Sequence, residues 1–316
     1  MNGAEVSDWN PPDLRNRVAL VTGSSRGVGR GIATALGRAG ATVIVTGRSS
    51  SASGSTEGLP GTVEDAALAV TEAGGRGIGL VCDHGLEADI DRLVSLVEEL
   101  GSLDILVNNA WAGYERTDEA KFDAPFWKQP LWRYDLFASS LRGNYATTRA
   151  LASHLIEASG GLLVSISFTD GDTYLGQVAY DTTKQAANRL AFGYAQELRK
   201  YEVTSVAIHP GFVKTERVQA AFDQIGDGPA AVAHSPEYVG RAIAHLATDP
   251  DRFEQSGNTL AVGDLAAAYG FTDVDGGQPP AFKLEGLMSL AARMERLNRT
   301  QRKAVAANDQ KEQIDA

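Results

Sequence analysis

The fold of this chain is decided by a stretch near its start that reads Arg17-Val18-Ala19-Leu20-Val21-Thr22-Gly23-Ser24-Ser25-Arg26-Gly27-Val28-Gly29. Residues 17–21 are almost wholly apolar and predict a short strand. A helical pattern of Ile32, Ala35 and Leu36 follows the glycines at once. A strand, a glycine-rich turn and a helix are typical of the opening of a dinucleotide-binding βαβ unit, because glycine lets the backbone approach a pyrophosphate at the helix N-terminus. An ordinary tight turn is the alternative.

Strands and helices alternate along the rest of the chain, which predicts an α/β fold. Three further apolar runs, 105–107, 162–164 and 206–208, have the composition of strands in a parallel sheet. We therefore predict one Rossmann-like, doubly wound parallel β-sheet with helices on both faces. In this prediction residues 1–15 are a loosely held N-terminal arm, residues 16–263 are the dinucleotide-binding domain, and residues 264–316 are a partly helical C-terminal extension.

The residues after the second predicted strand, 41–46, bear on which nicotinamide cofactor binds. An acidic residue at this point binds the ribose 2′-hydroxyl of NAD, whereas an arginine accommodates the 2′-phosphate of NADP. Here Arg48 follows the strand and Arg26 lies in the glycine turn, so two guanidinium groups can clamp one phosphate. Either arginine can instead be a solvated surface charge, but the pair favours NADP(H) over NAD(H).

A tyrosine and a lysine, Tyr180 and Lys184, lie four residues apart at the start of a long helical pattern, with Ser167 upstream. Residues at this spacing share one helix face, so the phenol and the ammonium can point into one pocket. A nearby cation lowers the pKa of a phenol, which suits it to exchange a proton with a carbonyl oxygen. A core tyrosine beside a solvated lysine is the alternative for this pair alone.

Taken together, these motifs resemble the short-chain dehydrogenase/reductase family from about Asn16 to Val262. The resemblance implies a coenzyme turn at residues 22–29, an adenine contact at Asp83, a strand-steadying element at residues 108–110, and a turn at residues 210–215 whose threonine reaches the nicotinamide. Ser167 lies thirteen residues before Tyr180, which is the family's spacing. The implied cofactor-binding residues are Thr22, Gly23, Ser25, Arg26, Gly27, Val28, Gly29, Arg48, Asp83, Asn109, Tyr180, Lys184, Pro210, Val213 and Thr215.

Shorter segments at 111–113, 140–143 and 268–276 are similar to the branch of this family that contains dehydrogenase/reductase family member one. The resemblance implies a reversible, NADP(H)-dependent carbonyl reductase or alcohol dehydrogenase acting on a ketone or secondary alcohol, with a hydrophobic substrate such as a steroid or xenobiotic. Tyr180 is then the general acid, Ser167 hydrogen-bonds the carbonyl oxygen, and Lys184 assists the tyrosine and holds the nicotinamide ribose. A redox-neutral dehydratase or isomerase, and a non-catalytic NADP(H) sensor, are the alternatives.

One position departs from the family pattern. Relatives carry an asparagine three residues before a glycine in the helix after the fourth strand, where it holds a water in a proton relay to the lysine. This chain reads Ser140-Leu141-Arg142-Gly143-Asn144, so Ser140 occupies the asparagine position. We expect the Ser140 hydroxyl to organise that water.

Composition excludes several other classes of protein. With 43% hydrophobic residues, the 316-residue chain can bury a large core, and its net charge of −11 argues against a nucleic-acid partner. The single cysteine, Cys82, suits a small buried residue, and the five histidines show no metal-ligand spacing, so we expect no metal. We find no apolar stretch of membrane-spanning length, so we do not expect a membrane role. A single cysteine cannot form a disulfide within the chain, which agrees with the cytoplasmic location that we expect. By family resemblance we expect a homodimer or homotetramer.

Three segments outside these motifs leave alternatives open. Residues 49–61 are rich in Ser and Gly, which predicts a surface loop. The alternative is a loop that closes over the cofactor. The aromatic residues at 111, 114, 122, 126, 127 and 132 line a substrate cleft, pack the following helix or face a partner subunit. A helical stripe of Leu287, Leu290, Ala291, Met294 and Leu297 predicts an amphipathic helix. It docks on the body by default, and the alternatives are that it covers the substrate opening, meets another subunit or lies on a membrane surface.

Overall fold

The first predicted strand, β1 (Val18–Val21), lies inside a parallel sheet. Its side chains alternate between two cores, since Ala19 and Val21 belong to one and Val18 and Leu20 to the other. Burial of both faces explains why this strand is an unbroken apolar run.

The computed structural model describes residues 9–116, 119–122, 124–158, 160–168, 174–219 and 233–282. Within this part of the chain the other strands are β2 (Thr42–Gly47), β3 (Arg76–Val81), β4 (Ile105–Asn108), β5 (Leu162–Ile166), β6 (Thr204–His209) and β7 (Thr259–Ala261). They form one sheet in the order β3-β2-β1-β4-β5-β6-β7, and every neighbouring pair is parallel. The sheet confirms the predicted Rossmann-like α/β fold.

Helices cover the sheet on both sides, as the sequence predicts. Their bounds are α1 (Gly27–Arg38), α2 (Val63–Glu72), α3 (Glu87–Leu100), α4 (Leu131–Glu157), α5 (Val178–Leu198), α6 (Pro236–Thr248) and α7 (Val262–Tyr269). The core that contains Val21 takes its helical side chains from α1, α2, α6 and α7, and the core that contains Leu20 takes them from α3, α4 and α5. No described helix is long and apolar enough to cross a membrane.

The strand order reverses at β1, which pairs with β2 on one side and with β4 on the other. The chain therefore leaves the carboxyl ends of β1 and β4 in opposite directions, which opens a crevice at that edge of the sheet. The glycine turn follows β1, and the segment that begins at Asn109 follows β4. These two segments form the floor of the site described below.

Helices α1 and α6 pack closely because glycine stands where they touch. An ideal Cβ placed on Gly31 would lie 2.3 Å from the carbonyl carbon of Pro236, and one on Gly240 would lie 2.6 Å from the Cβ of Ala35. Both distances are too short for real atoms, so only glycine permits this approach. The contact holds α1, whose N-terminus faces the crevice, against the body.

Both ends of the described chain are tied to the sheet's helices. The Trp9 indole N–H donates to Nε2 of His245 at 3.1 Å, and Leu14 is buried. We expected a loosely held arm, but the part of it from Trp9 onward is packed against the body. The 263/264 boundary falls inside α7, and the Tyr238 hydroxyl donates to the carbonyl of Pro279 at 2.9 Å. Residues 287–297, with the predicted amphipathic stripe, lie outside the described residues.

We expect Gly31→Ala to lower the free energy of unfolding by about 1–3 kcal/mol, because the added methyl group forces α1 and α6 apart. Gly193→Ala in α5 is the matched control, since a Cβ there meets nothing within 4 Å. That control should raise stability by roughly 0.5–1 kcal/mol through helix propensity. Urea denaturation of the two variants checks both signs, and a neutral Gly31→Ala would contradict the tight contact.

Candidate active site

A cleft of about 680 Å³ lies at the carboxyl ends of β1, β2 and β4, where the crevice was expected. Most of the predicted cofactor-binding residues line it: Gly23, Ser25, Arg26, Gly27, Val28, Gly29, Arg48, Asp83, Asn109 and Thr215. The remaining predicted residues are buried and do not line the cleft: Thr22, Tyr180, Lys184, Pro210 and Val213. Residues that sequence reasoning missed also line it, among them Leu136, Ser139, Glu216 and Arg217.

The glycine turn fits a dinucleotide because its packed side is closed and its cleft side is bare backbone. An ideal Cβ on Gly23 would lie 2.7 Å from Cα of Ala110, and one on Gly29 would lie 2.4 Å from Nδ2 of Asn109. Gly27 adopts a φ of +57°, which favours glycine. The Arg26 side chain does not cap α1, and the first turn of α1 carries no acidic residue. The N-terminus of α1 is therefore suited to an anion that comes from outside the helix.

The turn is fixed to the end of β4 by four hydrogen bonds. The buried Thr22 hydroxyl oxygen accepts from the backbone N–H groups of Asn109 and Ala110, each at 2.9 Å. In return, the Asn109 side-chain amide donates to the carbonyls of Thr22 and Gly23, each at 2.9 Å. Thr22 and Asn109 thus support the cleft wall from behind, and β4 positions the residues that follow it.

Both arginines predicted to clamp a phosphate already have partners. Arg26 donates to the Ser49 hydroxyl at 2.5 Å and to the Thr56 carbonyl at 3.0 Å, so it holds the loop 49–61 beside the cleft. Arg48 forms an ion pair with Glu115, which follows β4. Arg48 therefore lies where a 2′-phosphate was expected, but an acidic side chain of the same molecule shares it.

Tyr180 and Lys184 lie on one face of α5, as their spacing predicts. Tyr180 is 8% exposed and its ring is surrounded by Trp111, Tyr114 and Phe122, with centroid distances of 5.7, 6.3 and 5.8 Å. Nζ of Lys184 lies 4.2 Å above the centroid of the Trp111 ring and 5.8 Å from that of Tyr180. Trp111 also lines the cleft, so it joins the tyrosine–lysine pair to it.

Ser167, directly after β5, is buried beside the same helix. Its hydroxyl donates to the backbone carbonyl of Lys184 at 3.0 Å, and its N–H donates to the Ile208 carbonyl at 2.9 Å. The serine therefore lies next to Lys184 with its proton directed at α5. To contact a carbonyl substrate with that proton, the hydroxyl must rotate.

A family model described as short chain dehydrogenase matches residues 17–226. The chain belongs to the short-chain dehydrogenase family. Dehydrogenase/reductase SDR family member 1 of Mus musculus is 37% identical over 277 residues, which cover 83% of this chain and 85% of the relative. The chain therefore resembles the predicted branch of the family.

Solved structures of short-chain dehydrogenases have the same fold. One from Mycobacterium thermoresistibile has a TM-score of 0.72 and 28% identity, covering 86% of this chain and 95% of that one. A proposed NAD(P)-dependent gluconate 5-dehydrogenase from Beutenbergia cavernae, with NADP bound at low occupancy, has a TM-score of 0.65 and 25% identity over 80% of this chain and 97% of that one.

Ser140 and Lys184 of this short-chain dehydrogenase line different cavities. Its hydroxyl accepts from the Ala112 N–H at 3.0 Å and donates to the Leu136 carbonyl at 2.9 Å, and it lines the large cleft. Asn144, one helical turn later, lines a separate cavity of about 10 Å³ together with Lys184. That volume is about the size of one water molecule. Among the described residues, Oδ1 of Asn144 is buried without a hydrogen-bond partner.

The protonation equilibria of the pair differ from the expectation that Lys184 lowers the pKa of Tyr180. Burial, together with the charge and hydrogen bond of the Tyr114 hydroxyl, raises the pKa of Tyr180 well above its usual value. Burial also lowers the pKa of Lys184 from 10.5 to about 8. Desolvation disfavours the charged form of both side chains.

The other titratable residues give no metal site in the described chain, where no group of three histidine, cysteine or acidic side chains comes together. Cys82 is buried as expected, and burial raises the pKa of its thiol to about 12. The aromatic residues follow neither alternative as a group, since Trp111 both lines the cleft and stacks on Phe137 of α4. Trp111, Tyr114 and Phe122 surround Tyr180, whereas the side chains of Phe126 and Trp127 are exposed.

Lys184→Met is expected to raise the free energy of unfolding at pH 7 by roughly 1–3 kcal/mol, since one pKa unit corresponds to about 1.4 kcal/mol. The lysine pKa of about 8 in the folded state is below its usual value, so the folded state binds fewer protons than the unfolded state between pH 8 and 10.5. Stability from Lys184 therefore rises with pH across that range, and the variant should lose this rise.

Chemical denaturation at pH 7 and pH 10 measures both effects. Lys200→Met is the matched control because Lys200 is exposed just beyond α5, and it should change neither value. A Lys184→Met protein less stable than the unchanged one at pH 7 would contradict an energetic cost of burying this ammonium.

Proposed function

We propose that this short-chain dehydrogenase is an NADP(H)-dependent carbonyl reductase and alcohol dehydrogenase acting on a hydrophobic ketone or secondary alcohol. The observation that carries the proposal is the position of Trp111. Its ring lines the dinucleotide-type cleft and contacts both Tyr180 and Lys184, so it connects the buried tyrosine–lysine pair to the cleft. A binding protein needs the cleft but has no use for the buried tyrosine–lysine pair.

The choice of NADP(H) rests on Arg48. It follows β2 and lines the cleft, at the point where an acidic residue would select NAD(H). Arg26 contributes indirectly, because its hydrogen bonds hold the loop 49–61 along the same wall. The preference thus depends mainly on one guanidinium group.

Bound in the cleft, the nicotinamide would supply the hydride that reduces a carbonyl carbon. Tyr180 holds a proton on its phenol oxygen and donates it to the carbonyl oxygen as general acid. Before that, the substrate oxygen must replace the Tyr114 hydroxyl, which is hydrogen-bonded to Tyr180. Ser167 rotates from the Lys184 carbonyl to donate to the same substrate oxygen and stabilise its charge.

The substrate class follows from the rings around Tyr180. Trp111, Tyr114, Phe122, Phe137 and Phe168 have ring centroids within 6.3 Å of its own. Such a surface favours a hydrophobic ketone, in keeping with the steroid-like or xenobiotic substrates that the sequence indicates. A homodimer or homotetramer and a cytoplasmic location remain predictions from the sequence.

For the proton relay we propose Asn144 in place of Ser140. The water-sized cavity touches both Asn144 and Lys184, and the partnerless Oδ1 of Asn144 is a buried acceptor that a water satisfies. Ser140 instead positions the segment after β4 through the Ala112 N–H. The relay function has therefore moved one turn along α4.

Tyr180→Phe should reduce ketone-dependent NADPH oxidation by roughly 10²–10⁴-fold, because the phenyl ring has no proton to donate. We would follow NADPH and NADH oxidation by absorbance with steroid, quinone and small aromatic ketones. Tyr201→Phe is the matched control, since Tyr201 is 40% exposed beyond α5. Both variants should still bind NADPH.

The same assay separates the alternatives. Conversion of a substrate without net NADPH oxidation would support a redox-neutral dehydratase or isomerase. Tight NADPH binding with no turnover across the panel would support a sensor. Either result contradicts the reductase.

Asn144→Ala is expected to lower kcat roughly tenfold. The upper limb of the pH profile of kcat should also move to lower pH, because Lys184 loses the water-mediated link to Asn144 that we propose, and this link favours the ammonium form of the lysine. Ser140→Ala should leave the position of that limb unchanged. The pH dependence of kcat for the two variants distinguishes relay from packing. A shifted limb in Ser140→Ala, with none in Asn144→Ala, would return the relay to Ser140.

A further inference from the structure

A carboxylate of the protein itself sits on the anion-binding end of α1. The backbone N–H of Gly27, the first residue of the helix, donates to Oε2 of Glu216 at 3.1 Å and to Oε1 at 3.4 Å. Glu216 lies 189 residues away in sequence, directly after Thr215. A helix N-terminus without a cap of its own attracts negative charge, and here that charge comes from Glu216.

A second carboxylate occupies the other anion-binding group of the cleft. Glu115 forms an ion pair with Arg48, whose side chain is 40% exposed while that of Glu115 is 18% exposed. The pair joins the end of β2 to the segment after β4, 67 residues apart. A phosphate on Arg48 would have to compete with this carboxylate, since both seek the same N–H donors.

The two carboxylates belong to segments that touch each other across the cleft. Arg217 donates to the carbonyl of Tyr114 at 3.4 Å, and its guanidinium carbon lies 5.8 Å from the centroid of the Tyr114 ring. Glu216 precedes Arg217, and Glu115 follows Tyr114. The two carboxylates therefore lie on segments that face the same cleft, and each is held by its own partner.

We propose that Glu216 and Glu115 are internal competitors for the cofactor's phosphates, and that they set cofactor affinity and the preference for a 2′-phosphate. Glu216 holds the place of the pyrophosphate on α1, and Glu115 holds the place of the 2′-phosphate on Arg48. Each carboxylate must leave before the corresponding phosphate can bind. This proposal rests on the proposed cofactor site, and it assigns functions to residues outside the motifs that the sequence identifies.

The two positions have distinguishable effects on binding. Both NAD⁺ and NADP⁺ carry the pyrophosphate, so Glu216→Gln should strengthen the binding of both about equally, roughly three- to thirtyfold. Only NADP⁺ carries the 2′-phosphate, so Glu115→Gln should strengthen NADP⁺ binding by about two- to fivefold and leave NAD⁺ unchanged. The smaller factor reflects the greater exposure of the Arg48 pair.

Calorimetric titration of the full chain with each dinucleotide, without ketone, measures these affinities independently of turnover. Glu119→Gln is the matched control, because it removes the same charge from the same segment as Glu115→Gln does. Glu119 is paired with Arg116, and both side chains are exposed. It should change neither affinity. In an Arg48→Ala protein, adding Glu115→Gln should have no further effect on NADP⁺.

Weaker or unchanged dinucleotide binding in Glu216→Gln and Glu115→Gln would overturn the proposal, since the carboxylates would then support the site and not compete for it. If Glu216→Gln fails to fold by circular dichroism, inorganic pyrophosphate provides the second test. It should compete with NADP⁺ more strongly for Glu216→Ala than for the unchanged protein, and an equal competition would contradict us. Failure of the unchanged protein to bind either dinucleotide would instead reject the proposed function.

Discussion

The link between Thr22 and Asn109 is the interaction on which the site depends. One hydroxyl and one amide, 87 residues apart, join the glycine turn to the end of β4, and the Thr22 side chain is buried. Removing one partner of such a bond leaves a buried polar group unsatisfied, which costs more free energy than the bond itself contributes. The link therefore holds the glycine turn against the segment that carries Trp111. The link thus helps to fix the position of the α1 N-terminus relative to the Trp111 ring beside Lys184.

Much of the fold could be predicted from the sequence because its signals are local. Continuous apolar runs identified β1, β4, β5 and β6, and the glycine turn located the crevice, since a strand, a turn and a helix leave few topologies open. The same applies to Tyr180 and Lys184, whose spacing alone places them on one face of α5. These predictions needed only the periodicity of regular structure.

Other features depend on contacts that no local pattern records. In the sequence, Ser140 occupies the position of the family's asparagine, but in the structure it is Asn144 that shares a cavity with Lys184. The four residues between Ser140 and Asn144 make about one helical turn, and that spacing was the signal in the sequence that could have indicated Asn144. The acidic partners of α1 and Arg48 come from distant segments. The shift in the pKa of Tyr180 follows from how completely the rings exclude water, which spacing cannot convey.

The C-terminal segment contributes a ring to the surroundings of Tyr180 through Phe282. Its ring lies 5.9 Å from that of Phe168, which in turn lies 6.3 Å from that of Tyr180. The segment beyond the family's usual end thus contributes to the surroundings of the tyrosine, while the glycine turn lies on the other side of β4. Phe282 also lies 6.3 Å from the ring of Phe212, inside the turn at residues 210–215. One side chain of the C-terminal segment thus touches both the surroundings of the tyrosine and the turn predicted to hold the cofactor, so its size couples the shape of one to the shape of the other.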